Sequence, residues 1–398
     1  MPHDTFDALR EFEADLVAIR RDIHQHPETA FEEVRTADIV AAKLTEWGIA
    51  VHRGLAVTGV VGTLRGRRAG QKSIGLRADM DALHLHERND FAHRSVNDGK
   101  MHACGHDGHT TMLLGAARRL AADPDFAGTV HFIFQPAEEG LGGARVMIEE
   151  GLFDLFPCDA VYGMHNMPGI PAGKFAIRPG PMLAASDSWT AVFKGTGGHG
   201  SAPERGTDPT MPAAAFTLAV QGIVGRNVSP FDTAVLSVGH IAGGSFNAPN
   251  VIPSEVVVRG TSRSYRPAVR DTLERRLGEV ARSTAGSWGC AVEYTYQRRY
   301  PPLVNAAEQT KVAMAAATAT VGAENVDGDT QPLTGAEDFA FMLQTKPGAY
   351  IFIGNGGDEA GGCHYVHTPL YDFNDSILVT GAAYWLNVVR QELGDAAP

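Results

Sequence analysis

The chain has 398 residues, 44% hydrophobic and 20% charged, enough to bury a core in roughly one to three domains and unlike a disordered or fibrous chain. Its 34 Lys and Arg against 46 Asp and Glu leave a formal net charge of −12 with no basic stripe, which excludes the footprint of a nucleic-acid or anionic-membrane binder. Cys104, Cys158, Cys290 and Cys363 lie far apart with no CxxC pair, too few for a disulfide framework and in keeping with a reducing cytoplasm.

The first residues, MPHDTFDALREFEAD, are acidic where an export signal needs a basic start and an apolar core, so a cytoplasmic location is expected. The longest apolar stretch, PAAAFTLAVQGIV from Pro212, falls short of the roughly 18 residues of a membrane helix. Phe6, Leu9, Phe12, Leu16 and Ile19 recur at helical spacing, as do Ile39, Val40 and Leu44 before Gly48, which predicts two helices at the start of the chain. Strand-like runs follow: VTGVVGTL from Val57, SIGLRAD from Ser73, TVHFIFQ from Thr129, AVYGMHN from Ala160 and AYIFIGN from Ala349. Helical stretches lie between several of them, HTTMLLGAARRLAAD from His109 and GGARVMIEEGLF from Gly142. Apolar strands alternating with helices imply an α/β domain around a mainly parallel sheet, buried on both faces.

The middle of the chain reads differently. SWTAVFKG, DPTMPAAAFTLAVQGIV, TAVLSVGHI, SEVVVRGTSR, RDTLERRLGEVAR and CAVEYTY form a βαββαβ series, long enough for a small domain of its own. The expected organisation is a discontinuous α/β domain over residues 1–184 and 298–398, with an α+β satellite inserted at 185–297.

Reactive residues gather where the strands of the larger domain end, the side of an open parallel sheet where ligands bind. SIGLRAD ends on Asp79, TVHFIFQPAEE on Glu138 and Glu139, and AVYGMHN carries His165. The string MHACGHDGHTT packs His102, Cys104, His106, Asp107 and His109 between glycines ahead of a helix; thiolate and imidazole together suit zinc or a similar metal. Cys104 and His106, two apart, can face one centre, while His102 and His109 read as supporting or helix-capping groups. Pro136 must end its strand, so the adjacent glutamates sit in a turn where one can bind a cation and the other stays free as a proton carrier. Near the C-terminus, His364 and His367 of GGCHYVHTPLYDFND both offer a further ligand, and spacing alone does not choose between them. Cys104, His106, Glu139, His165 and one late histidine make five ligands, too many for one tetrahedral centre and suited to two cations sharing donors.

RADMDAL, MHACGHDGHT, FQPAEEG, GMHN, GTGGHGSAPE, NVIP, TGAEDF and HTPLYDFND, in this order, resemble the successive signatures of the metal-dependent N-acyl amino acid amidohydrolases. That family includes hippurate hydrolases, aminoacylases and auxin-conjugate hydrolases, within a wider zinc-peptidase clan. The resemblance runs from about His24 to Asp375 and implies a zinc-peptidase-like fold with a satellite used for dimerisation, hence a homodimer or a dimer of dimers. It implies metal ligation by Cys104, His106, Glu139, His165 and His367, and it selects His367 because the family's ligand stands directly before the TP of HTP. The implied cofactor is two divalent metal ions per subunit, zinc first, with manganese, cobalt and nickel also compatible. Glu138 becomes the general base, and His199, Asn250 and Gly335 fall at substrate-binding positions, His199 as a donor to the oxyanion. The implied reaction is hydrolysis of N-acetyl, N-benzoyl or arylacetyl amino acids. A dipeptidase or aminopeptidase using the same centre, and a non-catalytic metal or ligand binder, are the alternatives. Arg77 stands where the wider clan has a metal-binding histidine, and His84 replaces the proline that usually follows RADMDAL; His84 and His86 read as solvent-exposed.

Overall fold

The computed structural model describes residues 2–357 and 364–394; Cys363 lies outside the described residues. In chain order the long strands begin with β1 (Ala50–Leu55), β2 (Gly59–Arg65), β3 (Arg68–Asp79), β4 (Ala127–Gln135), β5 (Ala160–Pro168) and the two-residue β6 (Phe175–Ala176). Then come β7 (Ala185–Lys194), β8 (Ala234–Gly243), β9 (Glu255–Ser264) and β10 (Ala291–Tyr300). The two-residue β11 (Val326–Asp327) and β12 (Gly348–Gly356) complete the series. The chain divides into two compact units, residues 1–180 with 304–331 and 338–398, and residues 181–303 with 332–337.

The first unit holds an eight-stranded sheet ordered β1-β2-β4-β3-β5-β12-β6-β11. Its centre, β4-β3-β5-β12, is parallel, and those strands are buried along nearly their whole apolar length. The run read from Val57 joins antiparallel instead: residues 56 and 57 form the turn of the β1–β2 hairpin, and β2 pairs antiparallel with β4. Successive residues of β5 show that helices cover both faces. A Cβ on Gly163 would meet Phe339 of the helix Phe339–Thr345, while Met164, pointing the other way, approaches Gly381 of the helix Leu378–Leu393. The start of the chain forms three helices rather than two: Pro2–Arg10, Glu13–Gln25 and Val34–Glu46. The helix carrying the apolar repeat from Phe6 to Ile19 breaks at Glu11 and Phe12, where Phe12 leaves helical geometry with ψ 20° and stacks under Arg118.

A buried charge network anchors the helix Glu13–Gln25. Arg20, wholly buried, pairs with Asp107, Asp372 and Asp375, and His24 sits between Asp107 Oδ2 (2.8 Å) and Glu87 Oε1 (3.1 Å). Burial lowers the His24 pKa, but hydrogen bonds to Asp107 and Glu87 outweigh it, and the net shift is up to about 9. An unfolded histidine titrates near about 6.5, so this contribution to stability is whole below that pH and is lost as pH rises through about 9. The thermal midpoint should therefore fall between pH 7 and 9, and fall less steeply in His24→Gln; identical slopes in the two proteins would contradict the assignment.

The second unit is a four-stranded antiparallel sheet ordered β8-β9-β7-β10, packed against the helices Thr210–Ala219, Gln221–Asn227 and Pro267–Ser287. β7 alternates buried and half-buried residues along its whole length, as a sheet with one covered face requires. Trp189 packs flat across β9, where a Cβ on Gly260 would lie 2.2 Å from its ring, so the site requires glycine. The helix read through Val224 is two helices, with Val220 between them. Among the described residues no helix is long and apolar enough to cross a membrane.

Candidate metal centre

The carboxyl ends of β3, β4 and β5 bring their residues to one place, and the loop after β12 adds another. Three donor atoms from Cys104, His106 and His165 all lie within 4.8 Å of one another, and so do three from Cys104, Glu139 and His367. Cys104 is common to both sets, and its Sγ is 3.3 Å from His165 Nε2. A third set joins His106 to Glu138 and Glu139.

Hydrogen bonds fix which nitrogen each histidine presents. His106 opens the helix His106–Ala122 and donates Nδ1–H to Asp81 Oδ1 (3.2 Å). Its Nε2 is buried, makes no hydrogen bond, and lies 3.9 Å from Asp79 Oδ2 and 4.0 Å from Glu139 Oε1. His165 donates Nδ1–H to the Asn166 carbonyl (2.5 Å), which turns its Nε2 toward Cys104. His367 holds a left-handed backbone, φ +64°, pinned by its N–H to the Ala103 carbonyl (2.7 Å), with Nε2 3.1 Å from Glu139 Oε1. His364 is exposed and belongs to none of these donor sets.

His109 is occupied at both nitrogens, donating Nδ1–H to Asp79 Oδ1 (2.6 Å) and accepting the Asn166 backbone N–H at Nε2 (2.9 Å), so it supports Asp79 and β5 and has no free lone pair. His102 is buried in the neutral form, its pKa lowered to about 4 by burial, and joins no donor set. His84 and His86 are exposed, His86 pairing with Asp98 (2.6 Å).

Several organising groups escaped the sequence reading. Asp81 accepts the backbone N–H of Glu138 (3.0 Å) and of Glu139 (2.9 Å) as well as the His106 ring, so one carboxylate sets both glutamates and a histidine. Asn166 donates Nδ2–H to the Cys104 carbonyl (2.6 Å) and accepts the Tyr371 hydroxyl (2.7 Å). Arg77, buried beside the centre, bridges Asp79 Oδ2 (2.6 Å), Asp338 Oδ1 (3.0 Å) and Gln135 Oε1 (2.8 Å), and the Asp338 N–H approaches Glu138 Oε1 at 3.4 Å. Asp81 and Arg77 stand in RADMDAL, but the backbone N–H groups that Asp81 holds and the side chains that Arg77 ties together left no mark there. Gly105 has φ +94°, and a Cβ there would fall 2.2 Å from Asn166 Nδ2, so the turn carrying Cys104 and His106 needs glycine.

The donor set fits divalent cations on electrostatic grounds. Burial lowers the His106 pKa, yet the negative charge of Asp79, Asp81 and Glu139 outweighs it and carries the group up to about 10. Burial, reinforced by Glu139, Glu138 and Asp79, holds the Cys104 thiol well above the usual range. His165 is pushed well down, first by burial and then by His109, and so stays neutral. Carboxylates crowded around a buried thiol and a histidine they hold protonated are an excess of negative charge that bound cations relieve by taking the place of the protons.

The expected substrate residues His199, Asn250 and Gly335 lie in the second unit. A two-residue ladder, Gly198–His199 against Val251–Ile252, sets His199 beside Asn250, and both line a concavity of about 710 Å³. Gly335 lies outside it, its carbonyl accepting the Ala184 N–H at 2.9 Å.

The model of peptidase family M20/M25/M40 matches residues 75–391. A hippurate hydrolase of Campylobacter jejuni is 39% identical over 97% of this chain and 98% of its own. An IAA-amino acid hydrolase ILR1-like 2 of Arabidopsis thaliana is 39% identical over 96% of this chain and 86% of its own. The solved structure of a Bacillus subtilis dinuclear metal-binding peptidase from the M20 family superposes with a TM-score of 0.82 at 30% identity, covering 96% of this chain and 98% of that one.

Proposed function

Because the chain belongs to peptidase family M20/M25/M40, with relatives named for cleaving acyl groups from amino acids, we propose that it hydrolyses the amide bond of N-acyl amino acids to a carboxylic acid and a free amino acid. The observation that carries this reading is Cys104 shared by two donor sets with Glu138 close by. Cys104, His106, Glu139, His165 and His367 hold two divalent cations, zinc being the choice that thiolate and imidazole favour. When bound, the cations supply Lewis acidity to the amide carbonyl and acidify water at the site.

The chain's own groups carry the protons. Glu138 takes one from the attacking water and delivers it to the departing amine, its amide fixed by Asp81 and one oxygen approached by the Asp338 N–H. His199 Nδ1 accepts from the Ser201 N–H (3.2 Å), so the neutral ring carries its proton on Nε2, the tautomer needed to donate to a developing oxyanion. Asn250 and the Gly335 backbone complete the substrate contacts. His199→Ala should lower kcat by about 10²–10³-fold with cation content unchanged, read by amine release and metal analysis; a kcat within twofold of wild type would remove His199 from the reaction.

The satellite mediates a homodimer. Supporting this, β8 is an edge strand carrying exposed Ile241, exposed Leu218 lines the same concavity as Ile241, and Phe246 just after the strand is exposed as well. A cytoplasmic setting suits Cys104, Cys158 and Cys290, which are all free thiols. The reaction is tested by amine release from N-acetyl, N-benzoyl and indole-acetyl amino acids and matched free dipeptides, with and without chelator. Chelator-sensitive cleavage of the acylated set is expected; cleavage of the dipeptides alone would make the enzyme a peptidase, and no release from metal-loaded protein would make it a binder.

A further inference from the structure

Glu33 lies outside the donor sets and is wholly buried. Its carbonyl starts the helix Val34–Glu46 by accepting the Ala37 N–H, while its side chain leaves the helix altogether. Oε2 accepts the Thr58 hydroxyl at 2.6 Å, and Oε1 accepts the backbone N–H of Ala137 at 2.9 Å. No basic side chain appears among these partners, and a buried carboxylate without one is costly enough that it persists for a reason.

That reason lies in the turn it grips. Ala137 directly precedes Glu138 and has φ +56°, a left-handed conformation that alanine rarely adopts. Its carbonyl accepts the Gly143 N–H (3.0 Å), and the turn is pressed so close to the next helix that a Cβ on Gly143 would fall 1.8 Å from the Pro136 oxygen. Phe31, Ala56 and Val57 are also left-handed, and each lies within two positions of Glu33 or Thr58. Strained backbone of this kind survives where surrounding contacts over-determine it, and it gathers around working groups.

Resting on the reading of Glu138 as general base, we propose that Glu33 is a positioning residue for amide hydrolysis, holding the left-handed Ala137 turn so that the Glu138 carboxylate is aimed at the substrate. Asp81 holds the N–H of both Glu138 and Glu139, so loss of Glu33 leaves the cations in place and releases only the left-handed turn at Ala137, directly before Glu138, that aims its side chain. A glutamine at position 33 can make the same two contacts, accepting from Ala137 and donating to the Thr58 hydroxyl oxygen. Burial, opposed by the Thr58 hydroxyl and aided by Asp81, raises the Glu33 pKa to about 7, in keeping with a site that tolerates a neutral group.

The test uses the full-length, metal-loaded protein with N-benzoylglycine as probe and metal content measured for every variant. Glu33→Ala should lose kcat by about 10- to 100-fold with KM within about twofold and two cations per chain retained. Glu33→Gln should restore most of kcat. Adding Ala137→Gly, which removes the strain that Glu33 opposes, should recover part of the loss in Glu33→Ala. If Glu33→Ala does not fold, Thr58→Val, which removes one of the two contacts, should lower kcat by a smaller factor with KM and cations unchanged. A folded Glu33→Ala with wild-type kcat, or one that loses activity and cations together, overturns the proposal while leaving the amidohydrolase reading intact. Wild-type protein that loads two cations and releases no amine overturns both.

Discussion

Glu138→Gln should retain two cations per chain and lose about 10²–10⁴-fold in kcat, the range that a positioned general acid and base contributes. In the proposed reaction both proton transfers pass through this one carboxylate, and the amide side chain that replaces it accepts no proton at neutral pH. The cations should stay because the donor atoms of Cys104, His106, Glu139, His165 and His367 are untouched, and the Glu138 N–H still reaches Asp81 at 3.0 Å. Calorimetric metal titration beside single-turnover kinetics would separate the two effects. Near-normal turnover would remove Glu138 from the chemistry, and loss of the cations would recast it as a ligand.

Cys104→Ala should have the larger effect on metal, because Cys104 is the one residue common to the sets completed by His106 with His165 and by Glu139 with His367. Without the shared sulfur, each set falls to two donors, and stoichiometry should drop from two cations to one or none, with activity falling in step. The structural cost is small by comparison: the backbone turn is held by Gly105 and by the Asn166 bond to the Cys104 carbonyl, neither of which needs the thiol. Bound cations add stability by mass action, about 2.7 kcal/mol at a hundredfold excess over Kd, so thermal melts with and without metal should differ widely in wild type and little in Cys104→Ala. Equal metal content in the two proteins would refute the bridging role.

The parallel core and the helices around it were legible because apolar runs such as TVHFIFQ and AVYGMHN have few other uses. The break at Phe12 was not, since the periodicity continues through it and only the packing against Arg118 reveals it. At the centre, residue types at strand ends nominated candidate donors, and spacing could not choose between His364 and His367. That difference rests on the backbone at His367, tied to the Ala103 carbonyl from across the fold. Asp81, Glu33 and Asn166 were illegible for the same reason. Each acts largely by accepting or donating to main-chain groups of Ala137, Glu138, Glu139 or Cys104, and a main-chain amide leaves no mark in a sequence. Arg77 was seen only as a missing histidine, whereas its three buried partners make it the tie between Asp79 and Asp338.

The parallel pairing of β5 with β12 sets Val161 against Gly348, on opposite sides of the whole inserted unit. A ribosome adding about 5–20 residues each second needs roughly ten to forty seconds to make the intervening chain. During that interval the apolar edge of β5 has no neighbour, while residues 181–303, nearly the whole of the second unit and contiguous in sequence, are free to fold at once. His367 emerges later still, so the donor set of Cys104, Glu139 and His367 is incomplete until the end of synthesis. The newborn chain thus has one strand edge open, and its set of candidate donors incomplete, until its last hundred residues arrive.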